Sequence, residues 1–379
     1  MLVKTPPMGW NTWNTFGSDI QDGLVREIAD SIVSDGYLAA GYDTIVIDDG
    51  WQEDERSSDG HLVVDKAKFP YGIKALADYI HNKGLKFGIY SAAGVRTCCN
   101  KPGSFGYEFI DAQDFADWGV DYLKYDLCHF PGNGDCNSSY LTMSIALKST
   151  GRNIVYSGAI CGENDPGSWM RSIGAHQYRI SGDICDAFGS MKFIAEKRMN
   201  MMDFTAIGCY ADMDMLTIGM DGKGHTANGG CSLNEYYMQF ALWCFYASPL
   251  FIGCDIRNVS DAVKKILCNK TLISINQDEE CNTPYRERKS RYARLDENRF
   301  TLMKQLSDNK FAFGFFNFGE ETAIKTAYMN DFGLPAYSNK NFIFTDIENN
   351  VQTVVKDACS VNLEPHSCKV FIGEIVNGR

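Results

Sequence analysis

The chain has 379 residues, enough for two or three domains or for one large barrel with a small partner, and a sizeable core follows either way. With 45% hydrophobic, 22% charged and 13% aromatic residues it has the balance of an ordinary globular protein, which excludes disordered and fibrous folds. Lys and Arg number 36 against 48 Asp and Glu, and the net charge of −12 argues against nucleic acid, whose phosphates need clustered positive charge, and favours a neutral or cationic substrate. In chain order, Val25, Ile28, Ala29 and Ile32 keep an i, i+3, i+4, i+7 spacing that predicts an amphipathic helix, and the apolar run over 42–47 predicts a buried parallel strand. Ile73, Leu76, Ala77 and Ile80 predict a second helix, stopped by Gly84, before a strand over 85–90. Further strands are predicted over 120–125, 154–156, 204–207 and 250–252. Strands alternating with helices give a parallel α/β fold, either a closed (β/α)8 barrel or a doubly wound sheet. After about Pro284 the pattern changes to strand-like runs such as Arg299-Phe300-Thr301-Leu302-Met303 and Lys369-Val370-Phe371-Ile372 with Asn-rich turns, a small antiparallel β domain. The division expected is 1–285 for the α/β domain and 286–379 for the β domain.

No repeat or low-complexity tract stands out, and no window approaches the roughly 18 consecutive apolar residues of a membrane span. The first seven residues hold no apolar signal region, so the chain as written is expected to be cytoplasmic, and secreted if an export signal was removed. The 14 cysteines are scattered, without any CxxC, which predicts mostly reduced, buried thiols. Sequons at Asn137, Asn258 and Asn269 carry meaning only with secretion.

Acidic residues close the strand-like runs. Asp48 and Asp49 follow Thr44-Ile45-Val46-Ile47, Lys124 and Asp126 end the run from Asp121, and Asp183 follows Tyr178-Arg179-Ile180-Ser181-Gly182. In a barrel these groups share one rim, where such enzymes keep their active sites. Two carboxylates there can act as nucleophile and general acid/base of a retaining glycosidase, with the others bonding sugar hydroxyls and Trp10 offering an apolar face. Taken singly, each aspartate is as well explained as a helix N-cap, Lys124 as a surface charge and Trp10 as core; five such groups at successive strand ends are hard to assign to capping. Asp212-Met213-Asp214 could be the metal-holding DxD of a nucleotide-sugar transferase, but no phosphate-cradling glycine loop accompanies it. His61, His81, His129, His176, His225 and His366 show no zinc-site spacing, and no metal or cofactor is expected.

The runs Pro6-Pro7-Met8-Gly9-Trp10-Asn11, Ile47-Asp48-Asp49-Gly50-Trp51, Gly84-Leu85-Lys86-Phe87-Gly88-Ile89-Tyr90, Lys124-Tyr125-Asp126-Leu127-Cys128, Arg179-Ile180-Ser181-Gly182-Asp183 and Ile275-Asn276-Gln277-Asp278 resemble glycoside hydrolase family 27, the α-galactosidase and α-N-acetylgalactosaminidase family. The resemblance runs from residue 5 to about residue 285 and implies a (β/α)8 barrel followed by a small antiparallel β-sandwich domain, with a metal-free double displacement. It makes Asp126 the nucleophile and Asp183 the general acid/base. It assigns Asp48, Asp49, Lys124 and Arg179 to hydroxyls of the terminal sugar, Trp10 and Tyr90 to aromatic walls, and Asp214 with Met215 to the rim after the seventh strand. Lys124 and Arg179 are expected to keep Asp126 ionised, Asp183 to carry a raised pKa, and the two carboxyls to lie about 5–5.5 Å apart. Cys98 and Cys128 match a bridged pair of secreted relatives. Dimers or tetramers are common among such relatives, so a homo-oligomer stays open.

The sequence also departs from the family. Many members place a polar residue after the fifth strand, against position 2 of the sugar, where this chain has Gly158-Ala159-Ile160-Cys161-Gly162. Apolar Ile160 takes that place, with Glu163 nearby as a candidate replacement. The reading is an exo-acting α-galactosidase, with α-N-acetylgalactosaminidase and β-L-arabinopyranosidase as alternatives within the family. A metal-dependent nucleotide-sugar transferase and a non-catalytic carbohydrate-binding protein are the alternatives from other classes. Asp48 and Asp49, which in the family contact the 4- and 6-hydroxyl side, argue against the arabinopyranoside.

Overall fold

The computed structural model describes residues 2–131, 136–287 and 298–378. Eight short strands organise its N-terminal part: β1 (Met8–Asn11), β2 (Thr44–Val46), β3 (Lys86–Ala92), β4 (Tyr122–Asp126), β5 (Val155–Ala159), β6 (Gln177–Arg179), β7 (Tyr210–Asp212) and β8 (Leu250–Ile252). All pair in parallel, in the order β7-β6-β5-β4-β3-β2-β1-β8. Just past β7, Leu216 bridges Ile252 in parallel, donating its N–H to Phe251 O at 2.7 Å and accepting from Gly253 N–H at 2.9 Å. That bridge closes the ring, so the fold is the (β/α)8 barrel; a doubly wound sheet would keep two open edges.

Between β1 and β2 lie α1 (Trp13–Phe16), α2 (Asp22–Ser34) and α3 (Tyr37–Ala40); α4 (Gly72–Asn82), α5 (Glu108–Trp118) and α6 (Asn137–Ser149) follow β2, β3 and β4. The link after β5 is a short 3-10 turn, Pro166–Ser168; α7 (Phe188–Asn200) follows β6, α8 (Leu233–Phe245) follows β7, and α9 (Asp261–Leu267) and α10 (Lys270–Asn276) follow β8. The periodic residues of α2 and α4 are all buried, as an apolar stripe facing a sheet requires. The strand expected over 204–207 does not form. Those residues lead into a tight turn at Ile207-Gly208, and β7 starts at Tyr210, where backbone groups meet β6 in register Gln177↔Tyr210 to Arg179↔Asp212.

The C-terminal strands β9 (Tyr285–Arg286), β10 (Arg299–Gln305), β11 (Lys310–Asn317), β12 (Ala323–Tyr328), β13 (Lys340–Asp346), β14 (Gln352–Val355), β15 (Ala358–Leu363) and β16 (Ser367–Asn377) form an antiparallel sheet β14-β13-β16-β11-β10-β9 and the pair β12-β15. Their shared core includes Phe313, Phe315, Phe342, Phe344, Val361 and Leu363. Two compact units result: Met1–Cys231 with Pro249–Cys268, and Ser232–Ser248 with Asn269–Arg379. Among the described residues no helix is long and apolar enough to cross a membrane.

Candidate active site

The ends of the barrel strands assemble a charged cluster in the first unit. Asn11, last residue of β1, donates its amide to Asp48 Oδ2 at 2.8 Å and accepts Trp13 N–H at 2.8 Å. Lys124 on β4 donates to the same Asp48 oxygen at 2.7 Å, and Asp48 N–H is held by the Thr12 hydroxyl at 2.9 Å. Asp48 is buried, and an ion so buried is tolerated only with such partners. Asp49 accepts Cys99 N–H on Oδ2 at 2.7 Å, but its Oδ1 is buried without a hydrogen-bond partner among the described residues. Burial raises the Asp49 carboxyl. An unsatisfied buried acceptor costs about 1–3 kcal/mol, which a ligand hydroxyl could recover.

Asp126 ends β4. Its Oδ1 accepts the Leu127 N–H at 2.8 Å and its Oδ2 the Tyr90 hydroxyl at 3.0 Å. Burial pushes the Asp126 carboxyl up to about 6, and the Asp183 charge adds to this, against Lys124 and the two hydrogen bonds. Tyr90 is held protonated by its own burial and by the carboxylates around it, so it is a donor here. Asp183 lies in different surroundings. Its side chain is 60% exposed and accepts Arg179 Nη2 at 2.9 Å. Burial works to raise it, but the Arg179 and Lys124 charges outweigh burial and hold Asp183 below the ordinary carboxylate range. This reverses the sequence-based expectation: the proton is held more tightly by Asp126 than by Asp183. The reason is spatial, since Arg179 bonds Asp183 directly while Lys124 spends its hydrogen bond on Asp48.

Arg179 is 3% exposed and pairs also with Asp214 Oδ2 at 2.9 Å. Burial opposes the guanidinium charge, but Asp214, Asp183 and Asp212 together raise its pKa further. Asp214 accepts Ile184 N–H at 2.7 Å and Met215 N–H at 2.8 Å, and Asp212 accepts Asp214 N–H at 2.9 Å and the Gln177 amide at 3.0 Å. The two DxD carboxylates are thus committed to the protein's own donors, which is not the open, oxygen-rich arrangement of a divalent cation site. Among the described residues, Cys98, Asp126 and Cys128 lie close enough together to be considered as metal ligands, but the two sulfurs are joined in a disulfide and offer no thiolate. Among the described residues Cys99, Cys161, Cys185, Cys209, Cys244, Cys254, Cys268, Cys359 and Cys368 are free thiols, four of them buried. A cavity lined by Asn11, Tyr122, Lys124, Gln177, Arg179, Asp212, Asp214 and Met215, among others, reaches into the barrel beneath this cluster.

Asp48, Asp49, Tyr90, Lys124, Asp126, Arg179, Asp183, Asp214 and Met215 are therefore brought together. Trp10 is not part of this surface: it is 0% exposed and its indole N–H is taken by Cys254 O at 2.8 Å, so it has no face for a sugar. Trp13, half-buried on the first turn after β1, is packed against the Val46, Tyr122, Met215 and Phe251 cluster. Tyr90 is nearly covered and reaches the site through its hydroxyl rather than its ring. Ile160 is fully buried, and Glu163 is exposed on the following turn with no side-chain hydrogen bond among the described residues. Between them Cys161, in the left-handed region at φ 56°, was missed in the sequence. Burial pushes its thiol up to about 11, with Asp126, Asp183 and Asp214 within electrostatic reach and Arg179 opposing them. Asn11 was also missed. For Asn11 the usable signal was position: barrel sites lie at and beyond the C-terminal end of a strand, not inside it.

A sequence model of the family described as alpha galactosidase A matches residues 5–278. The alpha-galactosidase of Cyamopsis tetragonoloba is 40% identical over 373 residues, covering 98% of this chain and 86% of that one. Among solved structures, alpha-galactosidase I from Mortierella vinacea superimposes with a TM-score of 0.89 at 30% identity, covering 100% of this chain and 99% of that one. The alpha-galactosidase of Saccharomyces cerevisiae with raffinose gives 0.85 at 25% identity, with 98% of each chain covered.

Proposed function

Because the chain belongs to the alpha galactosidase A family, we propose that it is an exo-acting α-galactosidase in which Asp126 is the nucleophile and Asp183 the general acid/base. The observation that carries the assignment is the contrast between the two carboxyls: one anchored on both oxygens at the end of β4, the other solvent-facing on Arg179. Asp126 attacks the anomeric carbon as Asp183 gives its proton to the glycosidic oxygen, and the aglycone leaves as an alcohol. Asp183, now a carboxylate, takes a proton from water, whose oxygen displaces Asp126 and releases the sugar with retained configuration. Anchoring both Asp126 oxygens fixes the attacking lone pair, and Lys124 stabilises the ionised form it needs. The first step requires the single proton of the pair on Asp183, against the Arg179 and Lys124 charges that lower that carboxyl and the burial that raises Asp126. Buried Asp48 and Asp49, with the unpartnered Asp49 Oδ1, suit hydroxyl donors of a galactose ring.

A second reading rests on the end of β5, where Ile160 and Cys161 present no carboxylate or amide to position 2 of a sugar; an N-acetylgalactosaminide is the substrate this favours. One experiment separates them: rates on nitrophenyl α-galactoside, α-N-acetylgalactosaminide and β-L-arabinopyranoside, with Asp126→Asn as control. The α-galactoside is expected to lead by about tenfold or more, roughly 1.4 kcal/mol of transition-state discrimination, and Asp126→Asn to be inactive on all three. A faster rate on another sugar removes the galactose assignment and keeps the mechanism. Full activity of Asp126→Asn removes the nucleophile.

A further inference from the structure

The segment between β7 and α8 carries His225, to which the mechanism above gives no part. This segment is pinned on two sides of the rim. On one, His225 N–H donates to Thr15 O at 3.1 Å and Thr226 N–H to Asn14 O at 3.0 Å, fixing it to the α1 turn that holds Trp13. On the other, Gly222 N–H donates to Asp186 Oδ2 at 2.8 Å, Asp186 N–H to Thr226 O at 3.0 Å and Gly230 N–H to Asp186 O at 2.8 Å. Asp186 is fully buried and stands three residues beyond Asp183. The segment thus spans the mouth from the Trp13 side to the Asp183 side. At its middle the exposed imidazole packs edge-on against Trp13, with ring centroids 4.7 Å apart and planes at 71°. Its seat is shaped for it: Gly17, in the left-handed region at φ 53°, faces the ring so closely that a Cβ there would lie 2.9 Å from His225 Cγ and Nδ1. The imidazole is also within electrostatic reach of Asp183.

We infer that His225, backed by Trp13, forms the leaving-group side of the site and binds the sugar ring attached to the oxygen that Asp183 protonates. This rests on the α-galactosidase reading. The bonded group beyond the glycosidic oxygen must lie next to Asp183, and His225 is an exposed side chain, seated on Trp13 and Gly17, within electrostatic reach of that carboxyl. Its ring nitrogens offer one donor and one acceptor when neutral, a match for neighbouring hydroxyls of a hexose and a poorer one for a nitrophenyl group, which has no donor and only weak acceptors.

The test compares kcat/KM on raffinose with kcat/KM on nitrophenyl α-galactoside. In His225→Ala the raffinose-to-nitrophenyl ratio is expected to fall about tenfold, mainly through KM on raffinose, and His225→Gln to lie between it and the parent. An unchanged ratio, or equal losses on both substrates, overturns the inference. Independently of any variant at His225, the Asp126→Asn protein is treated with diethyl pyrocarbonate and His225 modification read by peptide mass spectrometry. Raffinose is expected to protect His225 and galactose alone to leave it reactive; equal reactivity with raffinose overturns the inference. Failure of the unmutated protein to release galactose from either substrate would instead remove the α-galactosidase reading.

Discussion

Asp126 is placed where its ionised form is uncomfortable, and both stability and rate register this. A carboxyl pushed up to about 6 binds its proton more tightly folded than unfolded, where it titrates near the ordinary value of about 3.9. Its contribution to stability is therefore complete below about pH 4 and is lost as the pH rises through about 6. At pH 7 the half-buried charge costs about 1–2 kcal/mol after allowance for solvent screening. Asp126→Asn is thus expected to raise the melting temperature at pH 7, with the gain vanishing at pH 4; an equal gain at both, or a loss at pH 7, contradicts the placement. The rate has its own pH dependence. Turnover needs one proton on the Asp126 and Asp183 pair, since the doubly protonated pair has no nucleophile and the proton-free pair no acid. Because Asp126 holds that proton up to about 6 and Asp183 titrates below the ordinary range, kcat/KM is expected to peak in mildly acid solution and fall above about pH 6. A profile flat to pH 8 would show that another group supplies the proton. General acid catalysis typically contributes about 10²–10⁴-fold, so Asp183→Asn should lose that much on raffinose and less on nitrophenyl α-galactoside, whose leaving group needs little help.

The loops that leave β3 and β4 act as one element. Ala93 N–H donates to Asp126 O at 2.7 Å, Val95 N–H to His129 O at 3.2 Å, and Cys98 is disulfide-bonded to Cys128. Gly94 sits at the closest approach: a Cβ there would lie 2.0 Å from Cys128 O and 2.5 Å from the His129 carbonyl carbon. Gly94→Ala must therefore part the two loops, at about 1–3 kcal/mol or more of stability. The displaced backbone includes the neighbours of Asp126, and misplacement of order 1 Å costs about 10² in rate, so a fall in kcat of at least tenfold is expected beside the lower melting temperature. Wild-type kcat in the variant would mean that the nucleophile does not depend on this contact. How legible such elements are in sequence depends on what builds them. The helices α2 and α4 were readable because one stripe of each is wholly buried, and the Asp-terminated strands because a buried parallel strand is apolar until it reaches the rim. The strand β7 was misplaced because three residues carry no periodicity, and its position is set by pairing with β6. Assigning Trp10 to an aromatic wall failed for a similar reason: its burial is set by the closed barrel, and a tryptophan near a strand end reads the same in sequence whether covered or open. The order of the Asp126 and Asp183 pKa values depends on where Arg179 and Lys124 direct their hydrogen bonds, and no linear pattern records that.

At the scale of the whole chain, the sequence divides most visibly near residue 285, but contacts divide it elsewhere. The helix α8 lies between β7 and β8 in sequence, yet it groups with the C-terminal strands, as does α10. Within that unit Phe245 of α8 packs edge-on to Phe316 of β11 at 5.9 Å, and His366 Nδ1 approaches Glu235 Oε1 at 2.7 Å. Lys304 on β10 is fully buried and donates to Ile275 O at 2.6 Å and Cys244 O at 3.3 Å, satisfying carbonyls at the ends of α10 and α8. From Met238 to Phe245 every residue of α8 is buried, so the helix has no solvent face there and depends on cover from several sides. A fragment of residues 1–285 keeps all eight barrel strands but leaves α8 and α10 without β10, β11 and β16. Exposing the mostly apolar buried stretch of α8, with Met238, Phe240, Leu242, Trp243 and Phe245, and removing the Lys304 bonds to Ile275 O and Cys244 O should cost more than the marginal stability of a domain, about 5–15 kcal/mol, can absorb. The fragment is therefore expected to be insoluble or to lack a cooperative thermal transition, although every residue proposed for catalysis lies within it. A soluble 1–285 fragment that melts cooperatively and hydrolyses nitrophenyl α-galactoside would place the boundary where the sequence suggests it. Failure of that fragment, with the full chain active, would show that α8 and α10 need the C-terminal strands they are grouped with in order to fold.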